Sequence, residues 1–512
     1  MSGKRYSLLL INPRRKYRYH WDLREICEIM GKKNAVSPLA LPTVAALTPD
    51  NYDITIVDEE IQDLDLDGST PDIVGLTAII PNIKRGYAIA DAFRAKGVTV
   101  VMGGAQVSFN VEESLAHADS VVIGEAEGAW EQCLKDFEAG ILKKTYTASQ
   151  RPAFVTSPLP RWDLVATAKV MALGVQVSRG CPYKCDFCLV RNLFGERHRY
   201  RDIDNVIEEI SRLPKKQISF VDDNLTARKP YARELMKRLK PLKVSWMCQA
   251  SLDVANDEQL LRDMAEAGCT SILIGFESVN PRSLDETHKF HNRIGQYEEA
   301  VKRIHDAGIH VVGSFIVGFE ADDLSAFDRV YEFTERNNIS FIMLNVLTAY
   351  PGTDLYARMR EAGRISDIDP DLLNGIFPTM QYRAMSQTDL FHKYFETLEK
   401  MFDYRHVLMK IIPVLSTGAF RKFNEGEIGV KEKFLSVAHL LRKCVLTRDK
   451  SARRLFGALF GLVVRGRTTP GVAVEFLLFV ISFHGYLQYT RLHRDEILQK
   501  IKALDKGSFI KG

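Results

Sequence analysis

Ser178-Arg-Gly-Cys-Pro-Tyr-Lys-Cys-Asp-Phe-Cys-Leu-Val190 places three thiols, Cys181, Cys185 and Cys188, in one eight-residue loop with the spacing C-x3-C-x2-C. A loop this short can aim three sulfurs at three corners of a cubane cluster, leaving a fourth iron open to a small molecule. The competing reading is structural zinc. Zinc wants four closed ligands, usually as paired C-x2-C knuckles, and the nearby candidate for a fourth is His198. The spacing favours the cluster.

Working outward, Ala172 to Val177 reads as a strand that delivers the chain to the loop. Strand candidates then recur with helices between them: Ile218-Ser-Phe-Val221, Val244-Ser-Trp-Met247, Ser271-Ile-Leu-Ile274, Val311 to Val317 and Phe341 to Leu347. This order predicts a parallel sheet of about six strands closing into a partial (β/α)6 barrel of the TIM type over residues 165–370. Polar residues cluster at the strand ends, where such barrels carry their chemistry: Asp222-Asp223-Asn224, Gln249, Gly275-Phe-Glu-Ser278, Gly318-Phe-Glu320 and Tyr350-Pro-Gly-Thr353. Any one of these carboxylates reads equally well as a helix cap or a solvated loop charge.

Upstream, residues 1–150 alternate short β-branched runs with helical stretches such as Lys84 to Lys96. The runs are Leu8 to Ile11, Ile54 to Val57, Ile73 to Leu76, Val98 to Met102 and Ser120 to Ile123. The pattern predicts a doubly wound, Rossmann-like parallel sheet. Ligands on such sheets sit at the carboxyl ends of the strands, here Asn12-Pro13, Asp58-Glu59, Thr77 to Pro81, Gly103-Gly104 and Gly124-Glu125. No G-x-G-x-x-G follows any of them, which argues against a dinucleotide. Tyr146 to Leu164, with three prolines, reads as a linker.

The chain has 512 residues, too many for one ordinary core, and a net charge of +4. From residue 401 onward there are 20 Lys plus Arg against 9 Asp plus Glu, so the tail carries +11 and the preceding residues −7. Residues 371–512 read as helical, with Ser386 and Asp389 opening one helix as a capping-box variant. Leu455 to Val464 and Val472 to Phe483, flanked by Arg453, Arg454, Arg465 and Arg467, are each too short to span a bilayer. The pair reads either as a helical hairpin resting in a membrane interface or as helices packed on the barrel. Basic residues flanking aliphatic runs argue against nucleic acid. The remaining five of eight cysteines, Cys27, Cys133, Cys248, Cys269 and Cys444, lack a pairing rhythm, and the N-terminus runs straight into a strand; both point to a reducing, cytoplasmic setting.

The cysteine loop, with Phe187 just before its last cysteine, resembles the signature of the radical S-adenosylmethionine (SAM) enzymes. The resemblance implies that Cys181, Cys185 and Cys188 bind a [4Fe-4S] cluster whose open iron chelates SAM. One electron then yields methionine and a 5′-deoxyadenosyl radical that abstracts hydrogen from unactivated carbon. It further implies SAM contacts at Asp222, Gln249, Glu277, Ser278, Ile316 and Gly318. The fifth-strand pattern G-x-I-x-G-x-x-E is imperfect, with Gly313 one place early and Glu320 only two after Gly318.

The first domain resembles the cobalamin-binding domain of one radical SAM subgroup, which implies that Thr77, Gly103, Gly104, Gly124 and Glu125 face a corrin. The D-x-H-x-x-G motif is missing, and Gln106 stands where many relatives carry histidine; a differently occupied Rossmann-like domain is the alternative. The three-part order, with His484-Gly-Tyr486 closing the tail's apolar run, resembles the lipid-modifying proteins related to the hopanoid C-2 methylase. That implies a C-methyltransferase for a hydrophobic lipid, isoprenoid or polycyclic substrate. One SAM would supply the methyl group through cobalamin and a second the radical, with ferredoxin or flavodoxin as electron donor. In its interfacial reading, the basic tail with its two apolar segments would make peripheral contact with the inner face of the membrane. The alternatives are a radical SAM cyclase or carbon-carbon coupling enzyme of lipid or tetrapyrrole metabolism, and a noncatalytic cluster-bearing adaptor. A methylthiotransferase would want a second three-cysteine set, which is missing.

Overall fold

The computed structural model describes residues 4–68, 70–289, 292–365, 369–416 and 449–506, with positions 440, 442 and 445–447. Cys444 lies outside the described residues. Two parallel sheets organise the chain. The first contains β1 (Tyr6–Asn12), β3 (Tyr52–Asp58), β4 (Ile73–Thr77), β5 (Thr99–Gly103), β6 (Ser120–Ile123) and β7 (Thr145–Thr147), in the order β3-β1-β4-β5-β6-β7. The order reverses between β1 and β4, a topological switch point where open α/β sheets bind ligands. These strands bury apolar residues on both faces, as helix-covered parallel strands must: Ile11, Val74 and Met102 on one side, Leu10, Ile73 and Val101 on the other.

The second sheet follows chain order from β8 (Val170–Val175) through β11 (Gln217–Phe220), β12 (Ser245–Ala250), β13 (Cys269–Glu277), β14 (His310–Val317) and β15 (Phe341–Val346). A two-residue antiparallel pair, β9 (Ser178–Arg179) and β10 (Arg199–Tyr200), brackets the cysteine loop. The six expected barrel strands are present, but the sheet has a seventh. β2 (Asn34–Ser37), from the amino-terminal part of the chain, pairs in parallel with β8. It covers the otherwise open backbone edge of the first barrel strand.

The linker expectation also changes. Tyr146 is the buried centre of β7, and Phe154 and Trp162 anchor the segment after it. The Gln387–Phe402 helix opens as expected, with Ser386 Oγ accepting from Asp389 N–H at 3.0 Å.

The tail differs from expectation in one respect. Val472 to Phe483 is part of a single helix, Pro470–Lys506, that is long and apolar enough by length and composition to cross a membrane, although just over half of its most apolar window is buried within the protein. Phe476 and Phe479 pack on Phe341 with centroids 5.2 and 4.7 Å away. Each such pair contributes about 0.5–1.5 kcal/mol beyond the area it buries. The helix runs on through Gly485, whose missing side chain leaves room for the Glu25 carboxylate. Ser482 Oγ donates to Glu25 at 3.1 Å and Arg18 pairs with it at 3.0 Å. The long helix thereby holds down the segment before β2, which it also grips through Tyr17 and Glu496.

Candidate functional site

Asp222 sets the entrance to the cysteine loop. Wholly buried at the end of β11, it accepts from Val177 N–H at 3.1 Å, Ser178 N–H at 2.5 Å and Ser178 Oγ at 2.6 Å. Burial outweighs these bonds and pushes its carboxyl up to about 7. Gly180 takes the left-handed conformation (φ 89°), with no room for a side chain against the Arg197 carbonyl. Further along, Asp186 pins the loop to the helix after β15: its carbonyl accepts from Leu355 N–H at 2.9 Å and its carboxylate pairs with Arg358 at 2.7 Å.

Cys181, Cys185 and Cys188 line one cavity of about 200 Å³, with Asp223 and Asn224 after β11, Gln249 on β12, Glu277 on β13 and Ser314 on β14. Asp222 is not among the lining residues. Its neighbour Asp223 is, with burial pushing its carboxyl up to about 6 while Gly180 N–H donates to it. Ser278, expected beside the cofactor, is buried outside the cavity, its hydroxyl accepting from Asn280 N–H at 3.0 Å. Ile316 and Gly318 are likewise absent from the lining. Gly318 (φ 118°) abuts the Tyr382 ring, which any side chain would strike.

Glu277 itself is held in an uncommon way. It sits at a bulge of β13 with φ 59°, a conformation that costs an L-residue about 1–2 kcal/mol. Buried Lys289 pairs with its carboxylate and donates to the Gly275 carbonyl at 2.9 Å; Asn292 donates to the same carbonyl at 2.8 Å. Gly275 is required here, because a side chain would overlap the Glu277 and Lys289 head groups. Burial opposes the Lys289 charge, yet Glu277 and Cys185 beside it raise its proton affinity above the ordinary lysine value. Sequence reasoning missed Lys289, which lies eleven residues past the strand-end motif in no recognisable pattern.

This donor set fits a cluster better than a lone ion. Among the described residues, no three His, Cys, Asp or Glu side chains converge closely enough to hold one metal ion. Three thiols spread around a cavity suit the corners of a larger group. His198, the candidate fourth zinc ligand, does not line the cavity of the three thiols; its Nδ1 meets the Tyr200 hydroxyl at 2.8 Å, with burial lowering its pKa to about 4. Burial pushes Cys185 up to about 12 and Cys188 to about 11, so loading iron displaces protons from thiols that are otherwise neutral.

A second cavity, of about 360 Å³, opens at the switch point of the first sheet. Thr77, Gly103, Gly104, Gly124 and Glu125 all line it, as the sequence reading expects, and Gln176, Arg179, Leu193 and Phe194 close it from the barrel side. Gly104 (φ 106°) presses on Ala78, whose carbonyl oxygen would lie 2.6 Å from an added Cβ, while Gly124 (φ 78°) faces open space. Backbone exposed in this way accommodates a large flat ligand such as cobalamin. The Glu125 carboxylate has a different occupation: it pairs with Arg179 at 2.6 Å and Arg199 at 2.5 Å, and Arg179 also takes Glu127 at 2.7 Å. These buried pairs clasp the first sheet to the root of the cysteine loop. Gln106 lies in neither cavity; it faces a third, between them.

Comparison with known proteins places this geometry. The radical SAM superfamily matches residues 175–334 and the B12 binding domain residues 33–134. The chain is 33% identical to the bacteriochlorophyllide d C-12(1)-methyltransferase of Chlorobaculum tepidum over 72% of this chain and 84% of that protein. It is 27% identical to the hopanoid C-2 methylase of Rhodopseudomonas palustris over 72% and 73%. In fold it resembles the cobalamin-dependent SAM radical enzyme OxsB with aqua-cobalamin and SAM bound, at TM-score 0.59 and 15% identity, over 98% of this chain and 84% of that one.

Proposed function

Because this chain belongs to the radical SAM enzymes that carry a B12 binding domain, we propose that it transfers a methyl group to an unactivated carbon of a hydrophobic substrate. Its cofactors are a [4Fe-4S] cluster, SAM and cobalamin. One observation carries the reading: a single stretch, residues 176–194, walls both the thiol-lined and the glycine-lined cavity. When bound, the cluster supplies the electron that splits SAM into methionine and a 5′-deoxyadenosyl radical, and cobalamin supplies the methyl group that a carbon radical can take.

The residues divide the work. Cys181, Cys185 and Cys188 hold the cluster, and Gln249, Asp223 and Glu277 present polar groups to SAM. Lys289 orients Glu277 and supplies a buried positive charge beside the thiols. Asp222 fixes the loop from behind. Thr77 and the glycines 103, 104 and 124 would hold the corrin, while Arg179 and Arg199 tie the first sheet to the root of the loop through Glu125. Apolar walls keep water from a radical that would otherwise be quenched.

The enzyme acts in the cytoplasm, fed by a ferredoxin- or flavodoxin-type donor. Its tail touches the inner face of the membrane through Lys450–Val464, which exposes Phe460 and Val464 between Arg453–Arg454 and Arg465–Arg467. A lipid, isoprenoid or polycyclic substrate accords with such a surface.

The test is anaerobic reconstitution with SAM and a strong reductant, with and without hydroxocobalamin, followed by assay of 5′-deoxyadenosine, bound cobalamin and labelled methyl in lipid extracts. Deoxyadenosine with retained cobalamin and methylated product, all lost in Cys181→Ala, is the expected result. Deoxyadenosine without methyl incorporation would replace methylation by cyclisation or coupling. Neither signal from cluster-replete protein would sink the enzyme reading.

A further inference from the structure

The third cavity, about 310 Å³, is walled by Tyr17, Tyr19, Phe109, Tyr350, Leu189 and Ile79. Leu189 directly follows the last cluster cysteine, and Ile79 and Ala105 line both this cavity and the glycine cradle. A molecule held here therefore has the radical-generating loop on one side and the methyl-carrying domain on the other. At the small end of ligand pockets, the volume takes one ring system or one edge of a larger molecule.

The walls are overwhelmingly apolar, and most of their polar groups are already committed. Arg15 pairs with Asp22 at 2.8 Å and Glu60 at 3.1 Å, Tyr17 donates to Glu496, and Tyr19 donates to Asn345 at 3.2 Å. Two are not: Gln106 is 4% exposed and its Oε1 has no hydrogen-bond partner, and the buried Nδ2 of Asn374 has none either. A buried carbonyl without a donor is costly, so a site built around one discriminates against ligands that cannot satisfy it.

We propose that this cavity receives the substrate and that Gln106 selects a molecule presenting an N–H or O–H donor from an otherwise apolar ring. The inference rests on the proposed reaction for its biological meaning, but its test does not use turnover. A hydrogen bond to Gln106 Oε1 contributes about tenfold in affinity over a ring that lacks the donor.

Equilibrium dialysis of the cluster- and cobalamin-loaded protein against 2-naphthol and naphthalene reads this directly. The naphthol-to-naphthalene affinity ratio should fall about tenfold in Gln106→Leu and recover in Gln106→Glu, which restores an acceptor of the same length. Leu373→Trp, which fills the cavity from its far wall, should weaken both probes. An unchanged ratio in a Gln106→Leu protein that melts and retains cobalamin like the wild type overturns the proposal. So does undiminished binding of both probes to Leu373→Trp, or no binding of either to the wild type. Failure of the deoxyadenosine and methyl-transfer assays would remove the proposed reaction and leave these dialysis results standing.

Discussion

Replacing Asp222 by alanine deletes the acceptor shared by two backbone amides and one hydroxyl at the mouth of β8. The Ser178 hydroxyl can rotate to another acceptor, but the Val177 and Ser178 N–H groups cannot. Each buried unpaired donor costs about 1–3 kcal/mol. Part of that is recovered, because the variant no longer buries a carboxyl whose pKa burial has pushed up to about 7. The balance is about 3 kcal/mol of local opening energy, or roughly a hundredfold faster amide exchange. Hydrogen exchange by mass spectrometry on peptides spanning residues 170–180 measures it, with iron content read on the same samples. Asp223→Ala is the control. It frees Gly180 N–H and removes a cavity carboxylate, so it should weaken SAM retention while Val177 and Ser178 stay slow. Exchange within about twofold of wild type in Asp222→Ala, against the hundredfold expected, would refute the assignment of Asp222 as the residue that holds the loop. Equal acceleration in both variants would do the same.

Four further outcomes are expected. The same carboxyl, raised from 3.8 to about 7 on folding, binds its proton more tightly in the native state, so its contribution to stability is complete below about pH 4 and declines as pH rises through 7; Asp222→Asn should flatten that slope by up to one proton in urea melts across this window. Gly104→Ala forces a side chain onto Ala78 at positive φ and should abolish cobalamin retention, read from the absorbance of protein-bound cobalamin, whereas Gly124→Ala meets only open space and should cost about 1–2 kcal/mol of folding stability, read from urea melts. Glu125→Ala leaves Arg199 without a carboxylate and Arg179 with Glu127 alone, a loss below the roughly 3–5 kcal/mol of a fully broken buried pair, which should appear as faster proteolysis within residues 148–160 and persist at high salt. Phe460→Glu with Val464→Glu should eliminate co-sedimentation with anionic liposomes while leaving deoxyadenosine formation intact; undiminished co-sedimentation would assign membrane contact elsewhere.

The parts legible in the sequence are those in which local spacing and chemistry coincide. Three cysteines in one loop need no tertiary knowledge, and β-branched runs ending in Gly103-Gly104 and Gly124 mark both a strand and its ligand-facing end. Asp222 and Asp223 could not be told apart, because consecutive residues at a strand end point to opposite faces and only the folded sheet says which face is the cavity. Asn34–Ser37 has no alternating apolar pattern and owes its strand geometry to the free edge of β8. The apolar run Val472 to Phe483 marks only part of the tail helix, which continues past it through Gly485, where the missing side chain makes room for Glu25. Glu125 and Lys289 carry the same lesson: their partners, Arg179 and Glu277, are set by the meeting of separate elements and by a bulge in a strand.

The strand at residues 34–37 has a consequence for biosynthesis and for engineering. It is translated more than a hundred residues before β8, the strand it pairs with, so the barrel's first edge stays capped by a piece made early and docked late. Neither half is a separable module. A barrel expressed from residue 165 onward would present β8 as a bare, apolar edge prone to self-association. A chimera that grafts the first domain of a relative at the linker would bring a foreign capping strand to this barrel. Exchange of substrate specificity between relatives therefore calls for a junction that leaves residues 13–37 with the barrel and its long tail helix.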